Sequence, residues 1–160
     1  MIEAWLAGLE ASAAATALRN SILAYPLVNA GHVFGIALVV GAMVPLDLRL
    51  AGMWPQTPLA PLWRVLSRLA VAGFGLAAVT GVLLFMTRAT EYAESRLFLL
   101  KLAIIALALV NFWSLHRALP GPGSAEWQTG PPRPAIRAIA VTSLALWMAV
   151  LVLGRLVGYF

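Results

Sequence analysis

The stretch LAYPLVNAGHVFGIALVVGAMVPL, residues 23–46, holds one histidine, His32, and no Asp, Glu, Lys or Arg. A helix of this length reaches about 36 Å, which exceeds the roughly 30 Å hydrocarbon core of a bilayer. Three further apolar segments of similar length follow, at about 66–87, 97–117 and 135–157. The sequence therefore predicts an all-α, polytopic membrane protein with four transmembrane helices in a bundle.

The composition supports this class. Hydrophobic residues make up 62% of the chain and charged residues 11%, with a mean hydropathy of +0.90. Soluble domains carry about 25% charged residues, so a soluble core is excluded. The net charge of +5 comes from basic residues scattered between apolar runs. That distribution indicates the lipid bilayer as the partner and disfavours nucleic acid. With 0 cysteines, disulfides and thiolate metal sites are excluded.

Residues 1–20 form a separate unit from the four-helix domain, 21–160. Ile2, Trp5, Leu6 and Leu9 recur at helical spacing, whereas the segment lacks the basic start and apolar centre of a signal peptide. It is also too short and polar to span a bilayer. We expect an amphipathic helix that lies in the membrane interface.

The arginines predict the orientation, because cytoplasmic loops carry the excess of basic residues. The loops 49–64 and 118–134, with the adjoining helix ends, hold the larger basic group: Arg49, Arg64, Arg68, Arg117, Arg133 and Arg137. These loops should lie inside and both termini outside. In a Gram-negative bacterium the chain would be a multi-pass inner-membrane protein with periplasmic termini.

Three cationic or titratable groups share one predicted depth near the outer side. His32 and Lys101 lie about 10 Å and 8 Å into their helices, and Arg155 lies at a similar depth on the fourth. Because ionisable groups facing lipid are costly, they should line a cavity between helices one, three and four. Asn29 and Gly35 share the helical face of His32. The predicted cofactor-binding residues are His32, Asn29, Gly35, Met86, Lys101 and Arg155.

His32 has three interpretations. It is hydrogen-bonded to a neighbouring helix through Asn29 or Thr80, it is a haem or metal ligand, or it transfers protons. The Gly31-xxx-Gly35 spacing favours close helix packing, and the alternative is space for a flat cofactor. Helix two carries a matching stripe of small or hydroxylated residues, Gly73, Ala77, Thr80, Leu84 and Thr87.

A second polar group is predicted at the inner side. His116 lies 15 residues beyond Lys101, about 22 Å deeper, so His32 and His116 should not ligate one haem. We expect Asp47 to pair with Arg49 or Arg68, because a lone carboxylate at the membrane edge is costly. The predicted cluster comprises Asp47, Arg49, Arg68, His116 and Arg117.

The chain resembles an uncharacterised family of small four-helix bacterial integral membrane proteins. The resemblance covers YPLVNAGHVFGIALVVGAMVPLDLRLAG, AGFGLAAVTGVLLF, KLAIIALALVNFWSLHR and GRLVGYF. The chain is more distantly similar to two other groups, the copper-resistance D-type proteins and the four-helix membrane protoporphyrinogen oxidases. That similarity lies in the positions of His32 and Lys101. The outer helix and loop sequences depart from the oxidases, which bind b-type haem. That likeness implies haem b on His32, with Lys101 and Arg155 against the propionates and Met86 as a second axial candidate.

Three functions stay open from the sequence. The first is a membrane cofactor-binding or redox subunit with haem b near the outer face. The second is small-ion or copper transport, although the 5 methionines form no Met-x-x-Met cluster. The third is a non-catalytic accessory subunit of a larger complex or a homo-oligomer. No Ser–His–acid set, close carboxylate pair or phosphate-binding glycine loop is present, which disfavours hydrolysis and phosphoryl transfer.

Overall fold

The computed structural model describes residues 1–119 and 132–159, and within those ranges all regular structure is α-helical. The helices are α1 (Ile2–Glu10), α2 (Ala13–Asn20), α3 (Ala24–Ala51), α4 (Leu59–Thr87), α5 (Ala89–Glu94), α6 (Arg96–Ala118) and α7 (Pro134–Leu156). Helices α3, α4, α6 and α7 have 28, 29, 23 and 23 residues and are apolar enough to cross a membrane. The predicted all-α fold with four membrane-spanning helices is therefore confirmed.

The four long helices give the bundle two ends. We call the end that carries the first residues of α3 and α6 the His32 side, and the opposite end the Asp47 side. His32 lies eight residues after Ala24, about 12 Å from the His32-side end of α3. Asp47 lies four residues before Ala51, about 6 Å from the other end.

The connection between α3 and α4 is shorter than the sequence predicts. The predicted helices ended at 46 and began at 66, whereas α3 continues to Ala51 and α4 begins at Leu59. Helix α3 passes through Pro45 and ends where Gly52 adopts a left-handed φ of 109°. Pro61 falls in the first turn of α4, where its missing N–H has no helical acceptor to lose. The end of α3 and the start of α4 therefore cannot be predicted from the positions of Pro45 and Pro61 alone.

Arginine side chains hold this short connection in place. Arg49 is only 1% exposed, and its guanidinium donates from Nε to Thr57 O at 2.7 Å and from Nη2 to Pro55 O at 3.2 Å. Arg137 of α7 donates from Nε to Ala51 O at 3.0 Å. The carbonyl of Ala51, the last residue of α3, has no N–H donor within its own helix, and the Arg137 side chain supplies one.

Helices α3 and α4 pack backbone against backbone at two glycines. A Cβ atom on Gly35 would lie 2.7 Å from Ala77 N and 2.8 Å from Gly73 O, and one on Gly73 would lie 2.6 Å from Leu38 Cβ. Only glycine permits this approach. The helix-packing interpretation of Gly35 is confirmed. Gly31 packs less tightly, since its added Cβ would meet Thr80 Cγ2 at 3.4 Å.

Among the four long helices, the other close backbone approaches join α7 to α3 and α7 to α6. Helices α4 and α6 meet only through side chains. The Trp63 and Phe112 rings stack with centroids 6.2 Å apart, and the Phe85 and Phe98 rings stack at 5.6 Å. We call this boundary the α4–α6 seam. Between the two ring pairs lies an apolar cleft of about 80 Å³, lined by Val71 and Phe74 on one wall and Leu109 on the other.

The N-terminal segment packs on the His32 side as two helices. The predicted single helix is divided because Ser12 accepts a hydrogen bond from Ala15 N at 3.3 Å and so caps α2. Glu10 accepts from the Thr90 hydroxyl at 2.6 Å and the Thr90 amide at 2.8 Å. Arg19 donates to Thr87 O at 2.9 Å. These bonds fix the α1–α2 pair to the ends of α4 and α5.

Candidate functional site

His32 projects from α3 onto the stripe of small or hydroxylated residues on α4 that the sequence predicts. Its Nδ1 lies 2.8 Å from Ala77 O and 3.2 Å from Thr80 Oγ1. The predicted hydrogen bonding of His32 to a neighbouring helix through Thr80 is confirmed. The stripe provides this contact because residues at 3- and 4-residue spacing share one helical face. Gly73, Thr80 and Thr87 are accordingly buried on α4.

The partners of Nδ1 determine where the imidazole proton resides. A carbonyl oxygen only accepts, so Nδ1 must carry the hydrogen that Ala77 O receives. Thr80 directs its own hydroxyl to Leu76 O at 2.6 Å and offers His32 a lone pair. In the neutral ring, Nε2 therefore keeps an unshared electron pair. Metal-ligating histidines commonly have this arrangement, with one ring N–H held by a carbonyl and the other nitrogen available.

A glycine on α4 makes room for the imidazole ring. A Cβ atom on Gly81 would lie 2.9 Å from His32 Cε1 and 3.4 Å from Nδ1. Gly81 follows Thr80 directly in the sequence. The imidazole ring therefore hydrogen-bonds to α4 through Nδ1, and the missing side chain of Gly81 leaves space for its neighbouring atom Cε1. Gly81 was not among the residues predicted for the site, although a glycine beside a predicted histidine partner was a usable signal.

Lys101 joins His32 in this layer. It lies on α6, within electrostatic range of His32. Its Nζ sits 4.8 Å from the Phe98 ring centroid, and a Cβ on Gly154 of α7 would meet Lys101 Cδ at 3.9 Å. Lys101 makes no hydrogen bond to any residue in the described ranges. Two polar groups, the Nε2 lone pair and the ammonium, thus remain available in the His32-side half.

The other residues predicted for this cavity lie elsewhere. Asn29 is exposed, and so is Arg155, which hydrogen-bonds Tyr159 Oη and places Cζ 4.7 Å from that ring. Arg155 is close enough to the helix end to extend outward, as long cationic side chains do. Gly35 is buried against α4 and forms packing instead of a cavity wall. The predicted cavity shared by all four helix-borne polar residues is therefore wrong.

Met86 does not share the His32 layer. It lies five residues beyond Gly81 on α4, about 8 Å nearer the His32-side end. Five residues also rotate its side chain by about 140° around the helix. The methionine is therefore displaced in both depth and direction from a position opposite His32.

The predicted inner-side cluster is also not assembled. Asp47 is fully buried and has no arginine within ion-pair distance in the described part of the chain. Arg49 lies two residues away on the same helix, so the two side chains point about 160° apart around its axis. Arg68 and Arg117 are exposed, and Arg117 Cζ lies 5.1 Å from the Trp113 ring. His116 stacks beside Trp63 at 6.0 Å. The predicted pairing of Asp47 with an arginine is wrong.

The fit of a haem group to this layer is partial. His32 Nε2 has the chemistry of an axial iron ligand, and Lys101 suits a propionate. His116 and Met86 lie in other layers, so neither supplies a second axial bond. A cavity of about 370 Å³ opens on the His32 side, lined by α5 and α6 residues including Tyr92, Ser95 and Leu97, but not by His32. Space for a flat group beside Nε2 would have to come from the α4–α6 seam, where no backbones are in contact.

Within residues 1–119 and 132–159, no three His, Cys, Asp or Glu side chains are grouped to hold an ion. Comparisons of the chain with protein-family models, with curated proteins and with solved structures found no match.

Proposed function

We propose that this chain is an integral membrane cofactor-binding subunit with a redox role, and that it holds haem b in its His32-side half. The observation that carries the proposal is the bond from His32 Nδ1 to Ala77 O at 2.8 Å, which leaves Nε2 as a lone-pair donor. An iron ligand on a rigid helix needs this kind of fixed tautomer.

Each residue of the layer has a distinct part in holding the group. His32 would bind the iron through Nε2, and Thr80 and Ala77 orient its ring. Lys101 would neutralise a propionate carboxylate, because a lysine ammonium is a compact point charge with three donors. Haem, when bound, supplies one-electron redox chemistry.

The proposal includes a location. We place the chain in the bacterial inner membrane with both termini in the periplasm, following the arginine excess near 49–64 and 118–134. Since the chain has 0 cysteines, single-cysteine variants report topology directly. An impermeant thiol reagent should label Glu3→Cys but not Gln56→Cys in intact spheroplasts. The opposite pattern would overturn the orientation.

Haem titration of the purified chain in lipid nanodiscs tests the function. Wild-type protein should acquire a Soret band at a fixed haem-to-chain ratio. His32→Asn should lose it, because the Asn amide can still donate to Ala77 O but offers no Nε2 lone pair. Lys101→Met should retain the band with at least about tenfold weaker affinity, which corresponds to 1.4 kcal/mol.

Two variants serve as matched controls. His116→Asn removes the other histidine, and Arg96→Met removes an exposed cation from the same side as Lys101. Both should bind haem like the wild type. One haem per two chains would indicate that a second copy supplies its own His32, making a homo-oligomer the functional unit. No Soret band in the wild type, or an undiminished band in His32→Asn, would refute haem binding.

A further inference from the structure

A buried carboxyl group on the Asp47 side is unused by the proposed function. Asp47 is 0% exposed, and neither of its oxygens has a hydrogen-bond partner in the described ranges. Ser143 of α7, 1% exposed, faces the carboxyl group, and its Oγ is likewise without a partner there. Trp147 Nε1, one turn further along α7, is a fourth buried polar atom of this kind. Such groups are rare in folded proteins and call for a physical explanation.

The free hydroxyl of Ser143 has a structural cause. Serine and threonine within helices commonly donate to the carbonyl four residues back. Ser67, Thr80 and Ser114 do so here, at 2.5, 2.6 and 2.9 Å. For Ser143 that carbonyl is Ile139 O, which already receives the Asn111 amide of α6 at 3.1 Å. Together with the helical N–H bond, this fills both lone pairs of Ile139 O. Asn111 thereby leaves the Ser143 hydroxyl directed at Asp47.

Charged groups from the neighbouring elements do not offset the carboxyl group. Arg49 on α3 and Arg137 on α7 donate to backbone carbonyls of residues 51–57. The remaining basic residues described at this end are exposed: Arg64 and Arg68 on α4, His116 and Arg117 on α6, and Arg133 before α7. The described residues thus provide Asp47 with no counter-charge.

An ionised carboxylate presents about four acceptor sites and is costly to bury without donors or a counter-ion. A bound metal cation would require several oxygen ligands, and calcium takes six or more. Asp47 and Ser143 together offer three oxygens. A proton needs only one carboxyl oxygen. The arrangement therefore suits a proton better than a metal ion.

We infer that Asp47 and Ser143 form an intramembrane proton-binding site. The Asp47 carboxylate takes one proton from water at the Asp47 side and becomes the neutral acid, whose carbonyl oxygen accepts from the Ser143 hydroxyl. Release of the proton reverses the same step. The ligand of the site is a proton, and the inference stands independently of haem binding.

The sequence offers a direct test, because Asp47 is the only aspartate in the chain. Cell-free synthesis with carboxyl-¹³C aspartate labels this carboxyl group alone in otherwise wild-type protein. Isotope-edited infrared spectra in lipid nanodiscs at neutral pH should show the C=O stretch of a protonated acid, although aspartate in water is ionised at that pH. Carboxylate bands at neutral pH would overturn the inference.

Two serine variants of the labelled protein test the role of Ser143. Ser143→Ala removes the donor, so the C=O stretch should shift to higher frequency as the hydrogen bond to the carbonyl oxygen is lost. Ser67→Ala is the control, because that hydroxyl is bonded to Trp63 O, and its spectrum should match the wild type. An unshifted band in Ser143→Ala would refute the assignment of Ser143.

Discussion

The α3–α4 interface and the α4–α6 seam are built in opposite ways. At the first, Gly35 and Gly73 bring two backbones together, and His32 hydrogen-bonds across the contact. At the second, aromatic rings meet at both ends and leave an apolar cleft between them. A backbone contact cannot adjust without moving a whole helix, whereas side chains can change rotamer. The interface therefore fixes His32, and the seam is where the bundle can accommodate a ligand.

The largest expected effect lies at the rigid interface. Gly35→Ala places a methyl group 2.7 Å from Ala77 N, and Gly73→Ala places one 2.9 Å from Gly35 O. Backbone atoms cannot yield locally, so each change should lower the free energy of unfolding by about 1–3 kcal/mol. Denaturation in mixed detergent micelles measures this.

Glycines with open surroundings are the control for that comparison. A Cβ on Gly41 or Gly75 would meet nothing within 4 Å. Alanine there should be neutral or stabilising by up to about 1 kcal/mol, because alanine is the better helix former. If Gly73→Ala and Gly75→Ala melted alike, the α3–α4 interface would not depend on backbone contact.

A smaller effect on the fold is expected at the point where the α3–α4 interface holds the His32 imidazole. Gly81→Ala puts a methyl group 2.9 Å from His32 Cε1, the far end of a side chain that can move. The fold should persist while the ring tilts. We expect haem affinity to fall about tenfold, or 1.4 kcal/mol. Gly75→Ala on the same helix should bind haem normally, and equal affinities in the two variants would contradict the fixed ring position.

Loss of an aromatic ring at the α4–α6 seam should reduce stability less than an added methyl group at the α3–α4 interface. Phe112→Ala removes the stack with Trp63 at 6.2 Å. Such a pair contributes about 0.5–1.5 kcal/mol, and lipid or neighbouring side chains can fill the space. The loss of stability should therefore be smaller than for Gly73→Ala, as measured in the same micelles. A larger loss would show that the seam is a packed core.

The smallest effect concerns the α1–α2 pair and depends on pH. The Thr90 hydroxyl, and then its amide, lower the pKa of Glu10 by bonding the carboxylate. Because the folded pKa lies below the unfolded value of about 4.3, this stabilisation is present above that pH and is lost as the pH falls through the folded pKa. The protection factor of the Thr90 amide, which compares its hydrogen exchange with that of an unprotected amide at the same pH, should fall in acid. Glu10→Gln should lower this protection factor at neutral pH and Glu3→Gln should not. A protection factor that does not change with pH would contradict the contact.

Much of the fold follows from the sequence because lipid imposes simple rules. Apolar segments of about 20 residues and small residues at helical spacing predict the spans and the α3–α4 contact. The boundary near Pro45 could not be predicted, because α3 continues through the proline until Gly52 ends it. The bonds of Arg49 to residues 55 and 57 depend on that tertiary arrangement.

The site was predicted only in part, because depth along a helix says nothing about direction around the bundle. His32 and Lys101 agree in depth and lie within electrostatic range of each other, whereas Arg155 agrees in depth and extends to Tyr159. Asp47 and Arg49 are near in sequence yet face apart. The Asp47–Ser143 contact depends on the α3–α7 register, for which a single sequence carries no local signal.

The most direct test concerns the proton on the His32 ring. The chain has 2 histidines, so His116→Gln leaves His32 as the only one. Nitrogen-15 NMR of ring-labelled protein in lipid nanodiscs then distinguishes the tautomers without a ligand. We predict a neutral imidazole with hydrogen on Nδ1, bonded to Ala77 O, and an unprotonated Nε2. Hydrogen on Nε2 would contradict the bond to α4 and remove the lone pair on which the proposed function depends.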